Sequence, residues 1–138
     1  MNTEREKCYR ALIFDEEDEY ADYIASLSEK IAADPADYVS LNNRGVAQFE
    51  LGELPAALDD LTAACHLAAH DSIPFLNRAD VLHNMGDLRG ALDIASEAIR
   101  IAPMESSCYF VRAGIYRELG DAARADKDTN DGNRYKAV

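Results

Sequence analysis

Two histidines in this chain stand at a spacing that can hold a metal ion. His66 and His70 lie four residues apart, with Cys65 and Asp71 beside them. On one face of a helix, this spacing can direct both imidazoles at a metal such as Zn²⁺. Both histidines also fall near the end of a predicted helix, where the helix dipole favours an imidazole without any metal. We prefer the second interpretation and predict no metal or other cofactor.

An acidic run, Asp15 to Glu19, could also attract a cation. It lacks the alternating ligands and the central glycine of a calcium-binding loop. It is more typical of the solvated start of a helix, where negative charge is favourable. The sequence also has no glycine-rich phosphate loop and no recognisable nucleophile motif around a serine or histidine. The chain is therefore predicted not to be an enzyme.

Three arginines recur on otherwise apolar helix faces. Arg44, Arg78 and Arg112 are 34 residues apart, and a buried guanidinium needs a carboxylate partner. Asp60 and Asp128 lie sixteen residues after the first and third arginines, whereas an isoleucine follows the second arginine at that distance. We predict two ion pairs, Arg44–Asp60 and Arg112–Asp128. A row of ligand-binding arginines is the alternative.

These arginines belong to a longer repeat. Gly52, Gly86 and Gly120 each follow Leu or Met, precede an acidic residue, and lie 34 residues apart. A small residue stands seven positions before each glycine and an alanine five positions after it. A period of this length is typical of stacked pairs of antiparallel helices. Each glycine is expected in a left-handed turn, with the acidic residue opening the next helix.

The repeated columns resemble the tetratricopeptide repeat (TPR). Asn43-Arg44-Gly45 and Asn77-Arg78-Ala79 match a variant with Asn-Arg-Gly or Asn-Arg-Ala in the first helix, and Val111-Arg112-Ala113 is a looser copy. The resemblance implies an all-α fold, a short right-handed α-solenoid of antiparallel helix pairs. We expect seven or eight helices.

The unit boundaries follow from the same phase. TPR units are expected at residues 38–71, 72–105 and 106–138. The last unit is expected to have a polar terminal helix and a frayed tail at residues 131–136. Residues 1–37 are expected to form a degenerate N-terminal capping helix pair, since terminal repeats are often atypical. The four units would make one domain overall.

The resemblance also implies a ligand surface, the concave face lined by the first helix of each unit. Exposed apolar groups on such a face usually indicate a partner. Coverage by an end helix, or pairing of two chains, is the alternative. The predicted partner-binding residues are Val39, Asn42, Asn43, Val46, Phe49, Ile73, Leu76, Asn77, Asp80, His83, Phe110, Val111 and Arg117, with Cys8, Tyr9 and Leu12 added by the N-terminal unit.

The net charge is −12 and is concentrated near the N-terminus. Residues 1–37 carry eleven acidic and four basic residues, whereas residues 106–138 carry five acidic and six basic ones. Nucleic acids and anionic membranes require basic patches, so neither is expected as a partner. The charge favours a cationic protein or peptide. Three dispersed cysteines, and the lack of a signal-like or membrane-spanning apolar run, predict a cytoplasmic location.

Two functions fit these observations. The first is a non-catalytic protein–protein interaction module, an adaptor or scaffold that binds a peptide or helix of a partner on its concave face. The second is an acidic inhibitor, an immunity protein or a dedicated chaperone that masks a basic partner such as a toxin. A monomer or weak homodimer is expected in either case.

Overall fold

The computed structural model describes residues 6–136, and this range contains seven helices and no strand. Each helix packs against the next one along the chain. In addition, the second helix touches the fourth and the fourth touches the sixth, so these three line a common face. This arrangement confirms the predicted TPR-like solenoid. The helices are α1 (Glu17–Ala33), α2 (Tyr38–Glu50), α3 (Leu54–Leu67), α4 (Ser72–Asn84), α5 (Leu88–Ile101), α6 (Ser106–Glu118) and α7 (Ala122–Lys136).

The tight turns lie at the three repeated glycines. Gly52, Gly86 and Gly120 have φ angles of 78°, 86° and 80°, which only glycine adopts without strain. The acidic residue that follows each glycine directly precedes the next helix. In the second turn, Asp87 accepts a hydrogen bond from the Gly90 N–H at 2.9 Å, which satisfies a free donor of the first helical turn.

Close helix packing depends on the small residue before each turn. A Cβ atom at Gly45 would lie 2.7 Å from Leu61 Cγ and 3.3 Å from the carbonyl oxygen of Ala57. A Cβ atom at Gly114 in α6 would meet no heavy atom within 4 Å outside its own helix backbone. The two glycines are therefore a matched pair, one required by packing and one not.

Alanine substitution should shift stability in opposite directions at these two glycines. Gly45→Ala should lower the free energy of unfolding by about 1–2 kcal/mol, because overpacking outweighs the gain in helix propensity. Gly114→Ala should raise it by about 0.5–1 kcal/mol, because only the propensity term acts. Urea titration followed by circular dichroism measures both changes. Equal effects at the two sites would contradict this view of the α2–α3 contact.

Two of the repeated arginines join the two helices of their own unit by ion pairs. Arg44 on α2 donates from Nε and Nη2 to the two carboxylate oxygens of Asp60 on α3, at 2.6 and 2.8 Å. A third bond runs from Nη1 to Ser28 Oγ on α1 at 3.1 Å. Arg112 holds Asp128 in the same bidentate way, at 2.8 Å for both bonds. Both ion pairs expected from the sixteen-residue spacing are thus present.

The N-terminal unit differs from the prediction. Residues 7–16 are not helical, so α1 stands alone and the predicted capping helix pair is wrong over the described residues. The physical reason is that backbone groups of this stretch bond to side chains of other elements, as set out below. Residues 1–5 of that predicted unit, and residues 137–138 of the last one, lie outside the described part of the chain.

The predicted fraying of residues 131–136 is also wrong. Helix α7 continues to Lys136, and Gly132 leaves space for the ring of Phe110, whose Cε1 would lie 2.7 Å from a Cβ at this position. Tyr135 stacks on Tyr109 with ring centroids 5.4 Å apart. Aromatic packing on α6 therefore orders the last turns of a mostly polar helix.

Candidate functional site

Three buried asparagines mark the most unusual polar site in the fold. Asn42 and Asn43 on α2 and Asn77 on α4 expose 0%, 1% and 4% of their surface. Buried amides require hydrogen-bond partners, and these three bond to one another. Asn77 Nδ2 donates to Asn42 Oδ1 at 2.8 Å, and Asn42 Nδ2 donates to Asn43 Oδ1 at 3.0 Å. We call these residues, together with Asp80 on α4, the asparagine face.

An extended part of the chain lies across this face. Residues 6–16, here called the N-terminal segment, precede α1 and run over α2 and α4. The Tyr9 N–H donates to Asn43 Oδ1, and Asn43 Nδ2 donates to the Lys7 carbonyl, both at 2.9 Å. The Tyr9 carbonyl accepts from Asn42 Nδ2 at 3.1 Å and from Asn77 Nδ2 at 2.8 Å. The asparagines therefore hold the backbone of the segment rather than its side chains.

One basic side chain of the segment is also held. Arg10 Nη1 donates to Asp80 Oδ2 at 2.8 Å and to Asn77 Oδ1 at 2.5 Å. Arg10 lines a small pocket together with Val46 and Phe49 of α2. The face therefore combines backbone recognition with one anionic position for a cationic side chain.

Cys8 lies between the two asparagine-bonded residues and is half-buried. Burial is the main cause that raises the pKa of its thiol to about 12, and the nearby Asp71 carboxylate adds to the increase. Burial also raises the pKa values of Cys65 and Cys108 to about 11. With pKa values this high, the thiols stay protonated at neutral pH, so none of the three is an activated nucleophile.

The segment is attached to α1 at its other end. The Tyr20 hydroxyl donates to the Leu12 carbonyl at 3.1 Å and accepts from the Phe14 N–H at 3.0 Å. The Phe14 ring packs edge-on against Tyr20 and Tyr23, with centroids 4.8 and 5.8 Å away. Residues 12–14 therefore belong to the α1 surface, whereas residues 7–10 belong to the asparagine face.

The structure brings only some of the predicted partner-binding residues to this site. Asn42, Asn43, Asn77 and Asp80 contact the segment, and Val46 and Phe49 lie beside Arg10. Tyr9 was predicted to line the ligand surface from a helix; it lies across that surface instead, as extended chain.

Other predicted residues have structural neighbours instead. Leu76 is completely buried and Val111 packs against the same core cluster, so neither is the free apolar contact expected from the repeat columns. Their side chains are needed where α4, α5 and α6 meet. Phe110 packs on Gly132, as described above.

The remaining members lie away from the asparagine face or at its margin. His83 Nε2 lies 2.7 Å from Glu118 Oε1, and Arg117 donates to Thr129 Oγ1 at 2.6 Å. Val39 and Ile73 are half-buried near the starts of α2 and α4. The face thus concentrates on the first two complete units rather than on all three.

Arg10 is the residue of the candidate site that the sequence did not indicate. It belongs to a stretch that repeat phase assigned to a helix, and its partners Asn77 and Asp80 lie 67 and 70 residues away. The available signal was a basic residue, the last of three that precede the strongly acidic run.

The described part of the chain has neither a cluster of metal ligands nor a helix that could cross a membrane. Within residues 6–136, no group of three or more His, Cys, Asp and Glu side chains is arranged to hold a metal ion. His70 instead packs edge-on against Tyr38, with centroids 6.1 Å apart. None of the seven helices is both long and apolar enough to span a bilayer.

Solved structures of MamA share this fold. One crystal structure of MamA matches with a TM-score of 0.79 and 23% sequence identity, over 86% of this chain and 69% of that chain. The MamA 41-end structure from Desulfovibrio magneticus RS-1 has a TM-score of 0.79 and 12% identity, over 87% of this chain and 68% of that chain. No protein-family model matches the chain, and no curated protein matches its sequence. At these identities, the similarity indicates a TPR-like helical-repeat fold alone.

Proposed function

We propose that this chain is a non-catalytic protein-interaction module that binds an extended peptide segment of a partner protein on the asparagine face. The observation that carries this proposal is the set of bonds from Asn42, Asn43 and Asn77 to backbone groups of an extended segment. An asparagine amide offers both donors and an acceptor. It can therefore match the N–H and C=O groups that every peptide carries, whatever its side chains.

The geometry at Asn43 supports backbone recognition in particular. Its oxygen accepts from one peptide N–H while its nitrogen donates to the carbonyl two residues earlier. This pair of bonds engages one edge of an extended chain, much as a neighbouring strand would. A helical ligand would have these groups bonded internally, so an extended ligand fits better.

Electrostatics supports a cationic ligand. Asp80 supplies a carboxylate at one end of the asparagine face, and the whole chain carries a net charge of −12. Such a field speeds the encounter with a basic partner, and this attraction weakens as salt rises.

Peptides selected by display against the chain test this proposal. In nuclear magnetic resonance titrations, a bound peptide should shift the side-chain amide signals of Asn43 and Asn77. The signal of Asn133, which is exposed on α7, is the matched control and should not move. Shifts confined to α3, α5 or the acidic start of α1 would refute peptide binding on the asparagine face.

An acidic inhibitor or dedicated chaperone is the second candidate. Glu17, Asp18 and Glu19 are exposed in the first turn of α1, which favours a basic partner on that surface. This function would be supported over the first by a single partner that binds tightly at low salt and dissociates at high salt. Substitutions on the asparagine face should not change the affinity of that partner.

A further inference from the structure

We propose that the N-terminal segment is a resident pseudo-ligand, and that a partner binds by displacing residues 6–11 with an extended segment of its own that carries arginine or lysine at the position of Arg10. This inference rests on the proposed function and adds to it an autoinhibitory contact and a ligand chemistry.

The first step of the argument is that the contacts of the segment resemble those of a ligand rather than those of a core element. Lys7 and Tyr9 are held through their backbone atoms. Of residues 6–11, Cys8 and Arg10 are half-buried and the other four are exposed, Tyr9 by 37% of its surface. Little apolar surface would therefore be uncovered if the segment left, and the asparagines would find water or another peptide as partners.

The second step concerns the basic position. The residue after the doubly held Tyr9 carries its cationic group to Asp80 and to Asn77 Oδ1. Both acceptors bond to the same nitrogen, Nη1, so a single ammonium group could replace the guanidinium. A neutral or acidic side chain at this position would leave the Asp80 carboxylate without its cation. The asparagine face therefore selects a peptide with one arginine or lysine at a fixed place.

The third step is the point of attachment. Tyr20 binds the backbone of Leu12 and Phe14. Glu6 also pairs with Lys30 of α1, but both side chains are exposed, so this ion pair is weak. Residues 6–11 can therefore leave while the remainder of the segment stays on α1. A tethered segment has an effective concentration of roughly millimolar at its site. An incoming peptide binds only those molecules in which residues 6–11 have left the asparagine face. Its apparent affinity is lowered in proportion to the fraction of such molecules.

The test uses the full chain and a fluorescent peptide with the sequence of residues 6–14, with serine in place of the cysteine. Arg10→Ala in the protein weakens the resident segment only, so it should tighten peptide binding about five- to tenfold. Arg89→Ala is the matched control, because it removes the same charge from an exposed position on α5. It should leave the affinity unchanged.

Asp80 binds the basic residue of the resident segment and that of the incoming peptide alike. In the wild-type chain, removal of Asp80 would therefore weaken both, and the two effects on peptide affinity would cancel. Asp80→Ala is therefore introduced into the Arg10→Ala protein. There it should weaken the arginine peptide about five- to tenfold, and should not affect a second peptide with alanine at the arginine position. Peptide binding should also increase alkylation of Cys8 in the wild-type chain, because the thiol leaves its buried position.

The outcomes separate the two proposals. If selected peptides bind the asparagine face but Arg10→Ala does not tighten the peptide of residues 6–14, the pseudo-ligand inference is wrong and the proposed function stands. If no peptide binds this face even in Arg10→Ala, both are wrong. If light scattering shows a concentration-dependent dimer that exchanges segments, a second copy replaces the partner as the occupant and the inference is overturned.

Discussion

Replacing Arg112 with methionine is expected to lower the free energy of unfolding by about 3 kcal/mol, because it leaves a buried carboxylate without its cation. The side chain of Asp128 is only 2% exposed, and Arg112 supplies both of the guanidinium bonds to its oxygens. The same bonds raise the pKa of Arg112, and a guanidinium is not deprotonated in proteins in any case. Methionine preserves much of the apolar stem, which isolates the electrostatic loss.

The chain contains its own control for this experiment. Arg78 occupies the equivalent column of the middle unit, but Ile94 stands where the carboxylate should be. Its Nε is buried and has no hydrogen-bond partner among the described residues. Arg78→Met should therefore change stability by less than about 0.5 kcal/mol, or increase it, because an unpaired polar group is removed.

Urea titrations of both variants, read by circular dichroism, give the comparison. Arg44→Met is expected to lower the free energy of unfolding by an intermediate amount, about 2 kcal/mol. The reason is that the Asp60 side chain is more exposed than that of Asp128. Equal losses at Arg78 and Arg112 would contradict this account, because the loss would then not depend on a carboxylate partner.

Local rules explain why much of this fold could be predicted from the sequence. A glycine with positive φ is needed wherever a helix pair turns in fewer than four residues, so Gly52 and its two counterparts were visible as a period. The two residues of each ion pair are sixteen positions apart and lie on the two helices joined by one such turn. Their pairing is therefore also a local feature of the sequence. Arg78 was the informative exception, because its expected partner position holds Ile94.

The site could be predicted only in part. Asn42, Asn43 and Asn77 were assigned to a binding surface from their columns, and their side chains do bond to an extended segment. That the segment comes from this chain depends on contacts up to 70 residues apart, for which no periodicity exists. The 34-residue period, applied to residues 1–37, predicts a helix that includes Tyr9, whereas the structure has an extended chain there. Similarly, Leu76 stands at a repeat position that faces the ligand in TPR proteins, but here it lies in the core. The burial of its side chain depends on the helices of neighbouring units.

The exposure of the N-terminal segment can be measured at Cys8. With a pKa of about 12 in the docked segment, against 9.0 for an unperturbed thiol, Cys8 should react with iodoacetamide at pH 8 about 1000-fold more slowly than a free cysteine. Mass spectrometry assigns the label to each site. Cys65 and Cys108 are buried in the core and act as internal references for global unfolding.

The pH dependence follows from the direction of the shift. Because docking raises the pKa of Cys8, it favours the neutral thiol, and this contribution to docking is complete below pH 9. It is lost progressively as the pH rises from 9 towards 12. Asp71 and Asp37 are the charged neighbours that raise the value further, and the pKa of Tyr38 is also raised, mainly by burial. Labelling of Cys8 should therefore keep increasing above pH 9, where the rate of a free cysteine levels off.

A variant separates release of the segment from simple ionisation. Asn43→Ala removes the two bonds to the backbone of Lys7 and Tyr9, so it should increase Cys8 labelling at pH 8 at least tenfold while Cys65 and Cys108 remain unreactive. Asn133→Ala, on the exposed side of α7, should have no effect. If Cys8 in the unmodified chain reacts as fast as a free thiol at pH 8, the segment does not rest on the asparagine face in solution. The asparagines would then be open to a partner without any displacement, and Arg10→Ala would lose its expected effect on peptide affinity.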